Sequence, residues 1–397
     1  VIVTYNNTLP SIAVPNKTGY SFGGYYSGVN GTGTKYYTEF GVENGNTWST
    51  ADNGTLYACW TANTYNIAYE VNGGNIVLGK VESYTYGEGA TLPKEVTKEG
   101  YSFQGWYSTS YFEGEARTQV TNTDLGDKTF YAKWNVNTYN VTLNANEGSI
   151  NSGNMTNYVY GSTVVLPSDV TKTGYTFNGW FGNENFDGEA ITTIANNEVG
   201  DKVFYAMWAA NEYTITYEVA GGLIEDANYK TSYTFGNETT LPATMSKTGH
   251  KFAGWFTNSL FEGSAVTGIS ATEYGNKTFY AKWNVNNYKV TLNANGGTIN
   301  NGKVSSYIYG TTILLPIDVT KTGYTFNGWY DNAEFEGEPI LTISSTDLGD
   351  KTFYAKFSVN TYNVILVTNE GVINSGNIES YEFGKGATLP TDVTKTG

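Results

Sequence analysis

The chain repeats itself at a nearly constant interval, and such a period sets the architecture before any local reading begins. Gly105-Trp106, Gly179-Trp180, Gly254-Trp255 and Gly328-Trp329 lie 74, 75 and 74 residues apart. The clearest copy of the surrounding signature is Lys172-Thr-Gly-Tyr-Thr-Phe-Asn-Gly-Trp180. A second signature follows each one: Thr129-Phe-Tyr-Ala-Lys-Trp134, Val203-Phe-Tyr-Ala-Met-Trp208, Thr278-Phe-Tyr-Ala-Lys-Trp283 and Thr352-Phe-Tyr-Ala-Lys-Phe357. An array of small modules is expected, and such arrays usually act as spacers, fibres or multivalent binders. With 62 aromatic residues (34 Tyr, 19 Phe, 9 Trp), each module of about 74 residues can bury a core of its own.

The copy from Tyr139 to Trp208 shows the layout. Tyr139, Val141, Leu143 and Ala145 alternate with polar residues, the period of a half-buried strand. Tyr158–Tyr160 and Thr163–Leu166 read as short strands, the second ended by Pro167. A Lys-Thr-Gly turn leads into a strand at Tyr175–Phe181, followed by Ile191–Ile194. The segment Ala195–Gly200, polar at its start and closed by glycine, suits one or two helical turns. The closing strand Lys202–Trp208 puts Phe204, Ala206 and Trp208 on one face. The predicted module is mainly β, α+β at most.

Every closing aromatic is five residues from the next opening tyrosine: Trp60 to Tyr65, Trp134 to Tyr139, Trp208 to Tyr213, Trp283 to Tyr288, Phe357 to Tyr362. Such links are too short and too β-prone for a floppy tether. If the chain stays extended through them, the inward parity changes at each link, predicting modules rotated about the array axis in a semi-rigid rod. The copy at 139–208 aligns without gaps to the copy at 288–357, as if a two-module unit had been duplicated. The expected division is an incomplete variant copy at 1–61, complete copies at 62–135, 136–209, 210–284 and 285–358, and an incomplete copy at 359–397. The chain reads as a window on a longer repetitive polypeptide. In the alternative, its end copies complement one another head to tail and build a filament.

Chemistry has few candidates. The only histidine, His250, stands where other copies have Tyr101, Tyr175 and Tyr324. The only cysteine, Cys59, stands where others have Lys133, Met207, Lys282 and Lys356, so there is no disulfide framework. One His and one Cys far apart assemble neither a histidine-based triad nor a zinc site. Glu113, Asp187, Glu262 and Glu336 recur in glycine-containing turns, where turn chemistry accounts for them. Asp124-Leu-Gly-Asp127 and Asp347-Leu-Gly-Asp350 lack a 12-residue calcium loop around them. No cofactor, metal or catalytic residue is expected. A net charge of −15 repels phosphate backbones, so nucleic acid is a poor partner. No stretch of 18 apolar residues is present to span a membrane.

The tryptophans Trp60, Trp106, Trp134, Trp180, Trp208, Trp255, Trp283 and Trp329 are expected in the repeat cores. Tyr131, Tyr205, Tyr280 and Tyr354 have the opposite parity on the closing strand. They are candidate exposed contacts for a glycan or protein, although a second buried sheet face would also account for them.

The combination of Tyr-x-Val-Thr-Leu-Asn-Ala-Asn-x-Gly, Leu-Pro, Lys-Thr-Gly-Tyr-Thr-Phe-x-Gly-Trp and Phe-Tyr-Ala-x-Trp resembles the Listeria–Bacteroides repeats, also called internalin B-type repeats, over nearly the whole chain. The resemblance implies a small β-grasp-like module, found in tandem in exported and cell-surface bacterial proteins. It implies a non-enzymatic stalk or adhesive region, extracellular in location. The expected partners are neighbouring repeats, other copies of the chain, and a host or matrix protein or glycan. A carbohydrate-binding aromatic array is the reading from a third class.

Overall fold

Alternating apolar residues in Tyr65-Asn-Ile-Ala-Tyr69 dictate a strand with one buried face, and Thr64–Glu70 is that strand. The molecule is described by a computed structural model covering residues 1–397. It divides into two units, Val1–Ala209 and Ala210–Gly397. Within the first unit, the repeat that opens at Thr64 displays the plan. Its four-stranded sheet runs in the order Ser83–Thr85, Thr64–Glu70 (the opening strand), Lys128–Val136 (the closing strand) and Tyr101–Tyr107 (the Gly–Trp strand). The outer pairs are antiparallel, but the two central strands are parallel, with Ile67 opposite Lys128 and Glu70 opposite Tyr131.

A parallel pair requires a long crossover, and residues 71–127 supply it. Besides the two outer sheet strands Ser83–Thr85 and Tyr101–Tyr107, that crossover forms two ribbons, Asn75–Leu78 with Glu95–Thr97 and Ala90–Thr91 with Gln119–Val120. Their Leu92, Val96 and Val120 pack with Ile67, Trp106, Phe130 and Ala132 from the sheet. The core is thus one sheet face roofed by its own crossover.

Two sequence signatures meet inside this core. The Trp106 indole N–H donates to the Pro93 carbonyl at 2.8 Å, and Trp180, Trp255 and Trp329 do the same to Pro167, Pro242 and Pro316 at 2.7 Å. Each Leu-Pro therefore supplies the acceptor that lets an indole be buried without an orphaned donor. The glycine before the tryptophan serves the strand. Gly105 has φ +124° at a bulge, and a Cβ there would lie 2.6 Å from that of Ala116.

The segment Ala195–Gly200 corrects the helical expectation. It forms a single turn closed by Glu198 N–H to Ala195 O, and the equivalent Ser344–Gly349 is closed by Asp347 N–H to Ser344 O. The turn ends at Gly200, left-handed at φ +79°; its carbonyl accepts from the Tyr158 hydroxyl at 2.8 Å, and strand pairing resumes at Lys202. The one helical element is a 3-10 turn at Val29–Gly31 in the first copy, whose sheet has three strands.

In the second unit, the repeats opening at Glu212 and Asn287 have the same sheet order and the same parallel central pair. One turn differs. After the opening strand the other complete repeats place an asparagine in the left-handed region: Asn72 (φ 49°), Asn146 (48°) and Asn295 (45°). Each donates its side-chain amide to a closing-strand carbonyl, on Ala132, Ala206 or Ala355, at 2.7–2.8 Å. The repeat at 212–285 has Ala220 there, also left-handed, at φ 50°. Ala220→Asn is expected to stabilise that repeat by about 1–2 kcal/mol, from a better left-handed residue and one hydrogen bond. Hydrogen exchange at the Phe279 and Ala281 amides reads this locally.

The same repeat carries a pH-sensitive core residue. Burial pushes the Tyr217 phenol up to about 12, with Tyr229 reinforcing the shift. A raised folded pKa contributes stability that is complete below the unfolded value near pH 10 and lost as pH rises through about 12. Melts of the chain from about pH 9, one unit below the unfolded tyrosine pKa, up to the folded value of about 12 should show this loss. Tyr217→Leu, matching Leu143 and Leu292, should reduce it.

Candidate functional site

The place where one repeat passes into the next holds the densest recurring set of non-core contacts. The closing strand Lys128–Val136 runs two residues past Trp134, and the next opening strand begins at Thr138, so the joint is the single residue Asn137. Asparagine occupies every such gap: Asn63, Asn137, Asn211, Asn286 and Asn360. The inward parity changes across it, from Phe130 and Ala132 to Val141.

Asn137 is held on both sides. Its N–H donates to the Gly100 carbonyl of the preceding repeat at 2.9 Å, and its carbonyl accepts from the Tyr160 N–H of the following repeat at 3.0 Å. Its side chain accepts from the Ser102 hydroxyl at 2.5 Å and donates to the Tyr139 hydroxyl at 3.3 Å. The backbone pair recurs at Asn63 with Gly19 and Tyr86, at Asn286 with Gly249 and Tyr309, and at Asn360 with Gly323 and Phe383.

The Lys-Thr-Gly-Tyr signature builds the seat for the next repeat. Gly100 has φ +75°, and a Cβ there would lie 2.2 Å from the Tyr160 ring, so the ring lies directly on the glycine. The same close approach joins Gly19 to Tyr86, Gly249 to Tyr309 and Gly323 to Phe383. The residue after the glycine meets that ring edge-on: Tyr20 with Tyr86 at 5.5 Å, Tyr101 with Tyr160 at 5.7 Å, Tyr324 with Phe383 at 6.0 Å. His250 takes this place against Tyr309 at 5.9 Å, which explains how a histidine replaces tyrosine here. The lysine braces the turn. Lys98 Nζ lies 4.2 Å from the Tyr101 ring centre and donates to the Asn72 carbonyl at 2.8 Å.

The acidic loops that resemble ion sites are engaged within the protein. Asp124 accepts from the Thr121 N–H at 2.7 Å and pairs with Arg117. Asp127 accepts from the Asn66 N–H of the opening strand at 2.7 Å, as Asp201 does from Asn140 and Asp350 from Lys289. The hydrogen bonds from the Asn140 backbone and side chain hold the Asp201 carboxyl below the usual carboxylate range.

Among the residues singled out by sequence, Trp106, Trp180, Trp255 and Trp329 are fully buried. Trp60, Trp134, Trp208 and Trp283 are half-buried, and the last three donate to the Val71, Ala145 and Val219 carbonyls. Tyr131, Tyr205, Tyr280 and Tyr354 are half-buried on the opposite sheet face. Tyr131 lines a shallow groove of about 490 Å³ with Glu70, Asn72, Lys98 and Trp134. Tyr354 lines its counterpart of about 480 Å³ with Asn293, Asn295, Lys321 and Phe357. Sequence reasoning missed the joint asparagine and the ring-seating glycine. Their signal was present: the asparagines recur at steps of 74, 74, 75 and 74.

A repeated β-module, with a core of its own and a one-residue hydrogen-bonded joint, defines a tandem structural repeat protein. No helix is long and apolar enough to cross a membrane. The chain belongs to the Listeria–Bacteroides repeat domain family, which it matches at residues 1–59, 65–133, 139–207, 213–282 and 288–356. It is 31% identical over 371 residues to a protein of Evansella cellulosilytica named "Putative Gly-rich membrane protein", covering 90% of this chain and 40% of that one. A second protein of that organism, named "Putative membrane protein", is 31% identical over 325 residues, covering 77% and 45%. Internalin H of Listeria monocytogenes is 30% identical over 145 residues, covering 34% and 24%. The chain therefore spans less than half the length of these relatives.

Proposed function

We propose that this chain is a non-enzymatic spacer in an extracellular, cell-surface protein, holding successive repeats within each unit in a set orientation. The observation that carries the reading is the joint. One asparagine, hydrogen-bonded to the glycine behind it and to the aromatic ahead, leaves little torsional freedom between neighbours. The family membership and the membrane-protein relatives support the surface setting. The engagement of the acidic loops in turn and strand contacts supports a structural role over a catalytic one.

Spin labels at Glu113 and Asp187, in adjacent repeats of the first unit, test the reading by their distance distribution. A narrow distribution is expected. A broad one, typical of a flexible linker, overturns it. A second reading rests on the recurring groove at Tyr131 and Tyr354, whose aromatic rings suit stacking on a saccharide. Binding to a glycan array that is lost in Tyr131→Ala/Tyr354→Ala would favour it, and silence across the array removes it.

A further inference from the structure

We propose that the repeats are built to carry tension along the chain, and that the repeat at 212–285 is the weakest link; this rests on the spacer reading. The argument starts from the central strand pair. The chain enters each complete repeat on its opening strand and leaves on its closing strand, and these two are adjacent and parallel. Pulling the chain from its two ends draws the start of one strand and the end of the other in opposite directions along their common axis. That loading shears the ladder, so its rungs must fail together. The two ribbons of the crossover, Asn75–Leu78 with Glu95–Thr97 and Ala90–Thr91 with Gln119–Val120 in the repeat opening at Thr64, lie outside this strand pair.

The ladder is only four residue pairs long, for example Val141 to Asn144 against Lys202 to Tyr205. Side chains lengthen it at both ends. At the end where the opening strand is pulled, Asp127, Asp201 and Asp350 accept from the opening-strand N–H groups of Asn66, Asn140 and Lys289 at 2.7–2.8 Å. These are charge-assisted bonds to backbone donors, stronger than neutral ones. At the other end, the amides of Asn72, Asn146 and Asn295 donate to closing-strand carbonyls.

The repeat at 212–285 departs at both ends. Neutral Asn276 replaces the aspartate, at a longer 3.0 Å from the Thr214 N–H. Ala220 replaces the asparagine and brings no amide. Three repeats thus carry reinforced ladders and one carries the bare ladder with a weaker rung.

Single-molecule pulling of the 397-residue chain through its termini tests the idea. Each complete repeat should add roughly 20–25 nm on yielding, the extended length of about 74 residues less the folded span. One event at low force should precede three at higher force. In Ala220→Asn/Asn276→Asp the low-force event should be lost, its repeat now yielding with the others. In a Cys59→Ser background, handles on Glu218→Cys and Tyr280→Cys, which lie directly opposite one another at the end of the ladder, load the same repeat sideways, opening rungs one at a time. The force should then drop below that found end to end. Four events of equal force in the parent chain, or a low-force event that survives the double substitution, would overturn the weak-link assignment. Equal forces from both pulling directions would overturn the tension role while leaving the spacer standing, since that reading is tested by the spin-label distances.

Discussion

Trp180→Ala should destabilise its repeat by about 3–5 kcal/mol, the range for truncating a buried aromatic. The indole is among the largest fully buried side chains, packed with Val141, Leu166, Ile194 and Phe204. Removal leaves a cavity that a strand pinned on both sides by pairing cannot close. Trp180→Phe separates the two contributions. It keeps most of the ring but strands the Pro167 carbonyl, which now accepts the indole N–H. A cost of about 1–3 kcal/mol is expected for that orphaned acceptor and the missing atoms. Because the chain holds several cores, a single melting curve cannot assign the loss. Native-state hydrogen exchange at the Phe204 and Ala206 amides can, and should accelerate more than about a hundredfold in the alanine variant. Exchange unchanged there, with the chain folded, would show that the Gly–Trp strand is not a core strand.

Gly100→Ala should loosen the first unit's joint without emptying any core. Two penalties act together: alanine at φ +75° costs about 1–2 kcal/mol, and its methyl group would occupy the space of the Tyr160 ring. The ring must leave its seat, and with it goes the edge contact to Tyr101. Gly114→Ala supplies the control. Gly114 has φ +78° in the same repeat but nothing within 4 Å of the added methyl. Backbone strain is therefore common to both variants, while displacement of the neighbour belongs to one. Spin-label distances between Glu113 and Asp187 should broaden in Gly100→Ala, and Gly114→Ala should match the parent, with the label at Glu113 moved to Glu115 if its loop responds. Equal widths in both variants would remove the ring-on-glycine seat as the source of joint order.

These two positions show how legible the molecule was. The Gly–Trp strand was expected at Tyr175–Phe181 and is found there, because alternation is a property of a few consecutive residues. The closing strand was expected to end at Trp208 and continues to Ala210; in the equivalent Lys128–Val136 the last residue is held by pairing with Tyr101, 35 residues away, which local pattern does not encode. The helical expectation for Ala195–Gly200 failed for a related reason. Capping residues and a closing glycine describe a turn as well as a helix, and the strand that resumes at Lys202, paired with Val141 from 61 residues earlier, leaves room for the turn alone. The Lys-Thr-Gly element read as a simple turn, because the ring that sits on its glycine belongs to the next repeat.

From sequence alone came the period, the strand-rich module, the buried face of each strand and the five-residue step between modules, all carried by residues near one another in the chain. Only the tertiary structure decided that the opening and closing strands lie side by side and parallel, with Asp127 reaching Asn66 across 61 residues. It also decided that the joint is one asparagine gripped by a glycine behind and an aromatic ahead. Such contacts depend on which distant backbone groups come to face one another, and periodicity counts residues without recording what they face.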